Sequence, residues 1–542
     1  MKTCCLLFLS ACLLCAQPPK SSKDMCTPPP SGVAPSLPAK LMEGQGQVHF
    51  AITTSNPMAQ KFFDQGVAQL HSFWSMEAER SFLQAAELDP EAPMPQWGVA
   101  MVAAGDYRPR FQIDNADRVF GKGNPYNAQA RAIAAIKKAQ ELAAVSGKAT
   151  DIDKMYIAAL VARRDLTRAD REDAYTEGLR AIVKQHPDEI EARTYLALHL
   201  MRGFELPDKT PRGTSMEAVE ILRDLLNRAP EHPGVHHYVI HGFEGSTFAK
   251  DAWPSCKRYS ELVTNIPHAL HMPGHIYSQT GRWADAEKSF TDAAVNERGY
   301  MQADALYGSG HHGHNVHYLA TSLSFQGKYQ EAMQAAHELL GIQENPREKA
   351  NLDGFYSAYR QGWFATLRTL VQSENWDAVL DGTTLPEYDK PREQAWRHWA
   401  RALAYAAKND VAQAKTESKA MDDSLVLYRD KVKMPLPEPL KVARLELDGH
   451  LKAAEGKVRP ALKKLDEAAR AELHMAYSEP PYYPRPVLET LGEIALRSGR
   501  NAQAEAAFRR ALIQYPGSFR AQSGLRAAIE KQGRNVEASA AY

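Results

Sequence analysis

Seven histidines carry the strongest hint of chemistry in this chain: His237 and His241, then His268, His271 and His275, then His314 and His317. His237 and His271 are 34 residues apart, and His241 and His275 are separated by the same step. A fixed period of that length marks stacked helical units, in which equivalent positions of successive units lie side by side. Within a helix, residues three or four apart have Cβ atoms about 5–6 Å apart and point the same way. His237/His241, His271/His275 and His314/His317 are therefore pairs that can each grip one ion. Neighbouring helices pack about 8–10 Å apart, a gap that two imidazoles can bridge. A zinc, copper or iron ion takes three or four such ligands at about 2.0–2.2 Å. Three stacked pairs exceed the needs of one ion. With Glu244 close in sequence, the set suits two metals, or one metal and a spare imidazole for proton transfer.

Some neighbouring residues complicate that picture and others have structural readings. Pro273 lies between His271 and His275 and clashes inside a regular helix, so that helix is expected to start late or to kink. Gly308, Gly310 and Gly313 surround His311 and His312 in what reads as a flexible loop, from which either histidine could swing over the cluster. Glu244 reads either as a ligand or as a solvated or helix-capping carboxylate. Met272 is a lone soft donor. A single helical histidine is most often structural, which is the reading for His71, His186, His199, His232, His337, His398 and His474. His236 should point away from the face that carries His237. Trp74, Trp97, Trp253, Trp283, Trp363, Trp396 and Trp399 read as hairpin core, as do Tyr238, Tyr277 and Tyr318 beside the histidines.

Helices must position these residues, and from residue 57 onward the sequence is Ala-rich and amphipathic, with few β-branched runs and short Pro/Gly turns. Small and aromatic residues recur at set places: Gly66, Ala78, Phe82, Ala85 and Pro90; Gly281, Ala286, Phe290 and Ala293; Gly499, Ala504, Phe508, Ala511 and Pro516. These segments resemble tetratricopeptide repeats (TPR), and less regular units fall around 128–165, 172–205, 350–385, 392–422 and 436–470. The resemblance covers most of residues 57–540. It implies an all-α fold, an α-solenoid of TPR-like helical hairpins forming a right-handed superhelix. Residues 42–225 would form N-terminal repeats, 226–345 the central His-rich repeats, and 346–542 C-terminal repeats. Residues at repeat positions 2, 5, 9, 12 and 13 would line the concave groove.

A register set by Gly281, Ala286 and Phe290 puts His268, His271 and His275 at positions 2, 5 and 9. Gly327 and Ala332 put His314 and His317 at positions 2 and 5. One 34-residue step back gives His237 at 5, His241 at 9 and Glu244 at 12. Histidine thus fills seven of the nine slots at positions 2, 5 and 9, against 19 histidines in 542 residues overall, so the cluster belongs to the groove. Glu479-Pro480-Pro481-Tyr482-Tyr483-Pro484 reads as a rigid turn before the last full repeat.

Bulk properties exclude several classes. Lys plus Arg and Asp plus Glu are both 65, leaving no electrostatic footprint for nucleic acid. The chain has no P-loop, strand-anchored Gly-x-Gly-x-x-Gly, nucleophile elbow or His-Glu-x-x-His. Met1-Lys2, an apolar run from Cys4 to Cys15, and Ala16-Gln17-Pro18 resemble a bacterial export signal, too short for a transmembrane span. Residues 1–16 are read as signal peptide and 17–41 as a Pro/Ser-rich tether. Leu9-Ser10-Ala11-Cys12 resembles a lipobox, which would instead make an envelope lipoprotein. Four of the six cysteines fall in the signal, so only Cys26 and Cys256 could pair and a disulfide-built fold is excluded.

Together these features point to an exported protein, periplasmic or secreted, that binds one or two transition metals (copper, iron or zinc) through His237, His241, His268, His271, His275, His314, His317 and Glu244. A small molecule or peptide would enter along the groove. A thiolate-free, imidazole-rich set with few carboxylates favours copper- or iron-dependent oxidation, as by an oxidase or oxygenase, over hydrolysis. The alternative is a non-catalytic scaffold that docks a peptide or protein partner in the same groove. A third reading is a histidine groove that titrates near pH 6–7 and binds an acid.

Overall fold

The computed structural model describes residues 39–104, 128–145, 147–304, 307–344, 349–350, 352, 357–433 and 435–539. The signal segment 1–16, nearly all of the tether and Cys26 lie outside the described residues. The chain is all-α. Successive helices pack as hairpins, among them Pro57–His71 with Ser75–Leu88, Pro233–Phe243 with Trp253–Leu262, Pro267–Gln279 with Trp283–Ala303, and Ser309–Phe325 with Tyr329–Leu340. The series continues to Val487–Arg497 with Asn501–Gln514. One two-residue antiparallel ribbon, Phe204–Glu205 with Thr210–Pro211, interrupts it among the described residues. No helix there is long and apolar enough to cross a membrane.

Local chemistry sets the helix ends. Pro57, Pro93, Pro233, Pro267 and Pro391 occupy first-turn positions, where a missing N–H costs nothing and a fixed φ suits the helix. Hairpin turns need one residue in the left-handed region, which Gly281 supplies at φ 83°. In the first hairpin Phe73 takes that place at φ 53°. Its turn is held by Phe73 N–H to Leu70 O at 3.0 Å and Trp74 N–H to Gln69 O at 2.8 Å.

Close approach of helices depends on small residues facing aromatic rings. A Cβ placed on Gly274 would lie 2.5 Å from Phe290 Cζ, so only glycine lets the histidine-bearing helix Pro267–Gln279 seat on its partner. Trp74, Trp97, Trp283, Trp363, Trp396 and Trp399 are buried in the hairpin packing, and Trp253 is half-buried beneath Arg282. Cys256 is a buried free thiol, pushed up by burial and by the charge of Glu244.

Two local expectations are corrected. The helix through Pro273 does not start late: it runs from Pro267 to Gln279 with the proline inside, and the His271 and His275 rings meet at 4.5 Å between centroids. The glycine-rich stretch 308–313 is no loop. From Ser309 it is the first turn of the helix Ser309–Phe325, with His311 and His312 buried against Glu297 and Glu338. Ionic acceptors outweigh the glycines' preference for an open chain.

The array folds back so that both ends press on its middle. On one side Thr264 and Asn265 N–H donate to Gly44 O at 3.0 and 2.9 Å, Trp74 stacks on Tyr307 at 5.3 Å, and Arg80 pairs with Asp304 at 2.8 Å. On the other, Trp283 Nε1 donates to Pro516 O at 2.8 Å, and Arg368 donates to Tyr483 O at 2.9 Å. The central hairpins lie between these two sets of contacts.

Replacing Gly274 by alanine should lower stability by about 1–3 kcal/mol, because Phe290 must shift to admit the methyl group. Gly299, in a helix interior with nothing within 4 Å of where a methyl group would sit, is the control. Gly299→Ala should be neutral or stabilise by up to about 1 kcal/mol. Chemical denaturation of both variants reads the difference.

Candidate metal centre

Two groups of three imidazoles form along the central helices. In each, one nitrogen per ring lies within 4.8 Å of the others: His237, His241 and His268 in the first triad; His271, His275 and His314 in the second. The first draws on Pro233–Phe243 and the start of Pro267–Gln279; the second on the rest of that helix and on Ser309–Phe325.

In the first triad His237 Nδ1 donates to the backbone oxygen of His71 at 2.5 Å, which leaves Nε2 as a bare lone pair. His237 Nε2, His241 Nε2 and both nitrogens of His268 are buried with no hydrogen-bond partner among the described residues. Burial, followed by the neighbouring imidazoles, holds His237 and His268 well below the usual histidine range. They are neutral donors. Phe73 covers the triad, its ring 4.6 Å from His237, 5.4 Å from His241 and 5.7 Å from His268. His241 keeps 27% of its side chain exposed, so the triad opens to solvent on that side.

The second triad has its tautomers set from behind. Asn315 donates its amide to Phe290 O at 3.0 Å, so its oxygen must face His271 and accept from Nδ1 at 2.9 Å. His275 Nδ1 faces Glu244 Oε1 at 2.9 Å and Glu479 Oε2 at 2.7 Å. The two Nε2 atoms then confront each other at 2.6 Å. Only a proton or a cation relieves two lone pairs at that distance. Burial opposes charge on His275, but Glu479 and Glu244 outweigh it and push it up to about 10, so a proton can fill the gap. Burial and the neighbouring His275 keep both His271 and His314 well below the usual range.

A carboxylate or amide oxygen behind a ligating imidazole fixes the ring and raises its donor strength. That support is present here, and part of it comes from far away in sequence. Glu244, at the end of Pro233–Phe243, accepts from His275 and from Tyr477 Oη at 2.9 Å and lies 3.7 Å from His241 Nδ1. Burial alone would push Glu244 up; the charge of His275 holds it well below the carboxylate range. Burial and the charge of Glu244 push Glu479 up to about 8, so the pair of acids shares one proton at neutral pH.

Of the residues expected at the site, His237, His241, His268, His271, His275 and His314 enter the triads, and Glu244 stands behind His275. His317 does not join them. Its Nδ1 donates to Gln361 Oε1 and its ring meets Phe364 at 5.9 Å. His236 turns away, to Ser255 at 3.1 Å and Pro230 O at 2.7 Å. Glu479, placed by sequence in a merely rigid turn, reaches His275; Phe73, Asn315 and the buried His311 complete the surroundings. Of these, the sequence marks only His311, in the glycine-rich stretch from which it or His312 could swing over the cluster.

A further cluster, His71, Glu191 and His232, also gathers ligand-type atoms within 4.8 Å. Its hydrogen bonds explain it without an ion. His232 Nδ1 accepts the Val235 N–H at 3.3 Å, so Nε2 carries the hydrogen it gives Glu191 at 2.9 Å. His71 spans Tyr238 Oη at 3.0 Å and Glu191 at 2.6 Å. This network seats the backbone oxygen that anchors His237.

Fold and site define a helical-hairpin array with a buried polyhistidine centre. No family model and no curated protein matches the chain. Solved structures similar to it include human IFIT1 with m7Gppp-AAAA, at 12% identity over 91% of this chain and 90% of that one with a TM-score of 0.33. The APC/C hetero-tetramer Cut9–Hcn1 gives 13% over 87% and 76% with 0.30, and yeast Tom70 gives 12% over 89% and 90% with 0.26. Such scores carry no argument about function.

Long-range ¹⁵N–¹H spectra of the metal-free protein should show His237 and His271 as Nδ1–H tautomers with an unprotonated Nε2. An Nε2–H signature on either ring would remove the lone pairs on which the centre depends.

Proposed function

We propose that this chain is a metalloprotein that holds one transition metal in the His237/His241/His268 triad and a second in the His271/His275/His314 triad, and that the ions serve oxidation–reduction chemistry. One observation carries the reading: three imidazoles converge with His237 Nε2, His241 Nε2 and both His268 nitrogens buried and unpartnered among the described residues. An unsatisfied buried polar atom costs about 1–3 kcal/mol, a penalty that a shared cation removes. Copper or iron suits a set of neutral imidazoles without thiolate, with zinc as the alternative. The chain's own part would be to bind and orient the ion, to keep His237, His268, His271 and His314 neutral by burial, and to admit a small substrate beside His241. Phe73 would keep bulk water from the other side.

Untagged full-length protein, supplied with copper, iron or zinc and then dialysed, should retain stoichiometric metal by elemental analysis. His241→Ala and His275→Ala should each lose about one ion per chain, whereas His317→Ala should keep the full content. Folded wild-type protein that holds no metal after all three treatments would overturn the reading.

We also propose export, on the strength of the apolar run from Cys4 to Cys15 and the Ala16-Gln17 junction. The mature chain should begin at Gln17 on N-terminal sequencing. A lipid-modified Cys12 would make it an anchored protein instead, and an intact Met1 on the mature protein would sink the proposal.

A further inference from the structure

The two triads meet. His268 of the first and His271 of the second are three residues apart on one helix, their rings nearly parallel at 22° and 6.3 Å between centroids. Above that seam lies His311, which neither triad includes. Its ring is 5.9 Å from His268, 5.6 Å from His271 and 6.4 Å from His314. It thereby touches rings of both groups.

His311 is built in place. Its Nδ1 donates to Glu297 Oε1 at 2.6 Å, and Glu297 is itself buried, with His312 Nδ1 3.7 Å from its other oxygen. The Nε2 of His311 is buried as well. This repeats the pattern of the triads, in which an oxygen behind Nδ1 holds His237, His271 and His275. His317, the histidine that sequence position placed in the set, has the same anchoring but faces Phe364.

Resting on the metal reading above, we infer that the triads and His311 form a single dinuclear centre, in which His311 completes the coordination at the seam and the two ions together bind one small two-ended ligand of the azide or dioxygen kind. Two ions held by rings this close interact with each other, and a ligand with a donor atom at each end spans them better than it binds either alone. With His311 the two ions have seven protein ligands, three on one and four on the other, which leaves a fourth or fifth position on each for that ligand.

The test loads the full-length protein with two Cu(II) per chain and records electron paramagnetic resonance with and without azide. A coupled pair should give a half-field transition or a spin count well below two per chain, and one azide per two copper ions should change the whole spectrum. His311→Gln, with the six triad imidazoles intact, should still bind copper, lose the response to one azide per pair, and alter the signals of both ions. Two ions with a full spin count, no half-field transition and azide binding to each separately would overturn the pairing and leave the metal reading standing. Protein that takes up no copper would overturn the metal reading and the pairing together. A spectrum of His311→Gln identical to wild type would overturn the place given to His311.

Discussion

A buried imidazole tied at Nδ1 to an oxygen acceptor has no freedom left at its other nitrogen. The bond fixes the ring's rotation and also its tautomer, so Nε2 is a lone pair aimed wherever the backbone points it. His237 on the backbone oxygen of His71 and His271 on Asn315 obey this constraint, and the same bond at Nδ1 orients the rings of His275 on Glu244 and Glu479 and of His311 on Glu297. Each anchor comes from a different element from the histidine it holds. The centre is therefore a statement about tertiary structure: shift one helix and an imidazole loses its orientation.

The fold-back of the array supplies those anchors. An open row of hairpins would leave the histidine face wet, and wet imidazoles protonate, hydrogen-bond to water and wander among rotamers. Here the N-terminal segment and first hairpin cover one side through Gly44, Phe73, Trp74 and Arg80, while residues 477–485 cover the other through Tyr477, Glu479 and the backbone oxygens that accept from Arg368. The lowered basicity of His237, His268, His271 and His314 follows from that burial first and from the charge of a neighbouring imidazole second: His241, His237, His275 and His275 respectively.

Helical hairpins and the clustering of histidines were legible in the sequence because both are periodic. A register drawn from Gly281, Ala286, Phe290 and Gly327 placed six of the triad residues on one face, and the structure brings those six together. It failed at His317, which faces Gln361 and Phe364 while His311 and His314 of the same helix face the cluster. Glu479 and Phe73 were invisible for another reason. Each reaches the site through a turn that closes a long-range contact, and neither spacing nor composition encodes such a contact. The late start expected from Pro273 does not occur, because packing of the helix against Phe290 outweighs one missing hydrogen bond.

The contribution of Glu479 makes the two triads unequal in time. His237, His241 and His268, together with Phe73 and the backbone of His71, all belong to the first half of the chain. A polypeptide emerging from its N-terminus has every part of that triad once residue 268 has been made. His275 lacks one of its two carboxylates until the chain has grown by another two hundred residues and the segment around Glu479 has docked. A chain cut or stalled between His314 and Glu479 thus has the first triad with its anchors complete and the second without one of the two carboxylates behind His275.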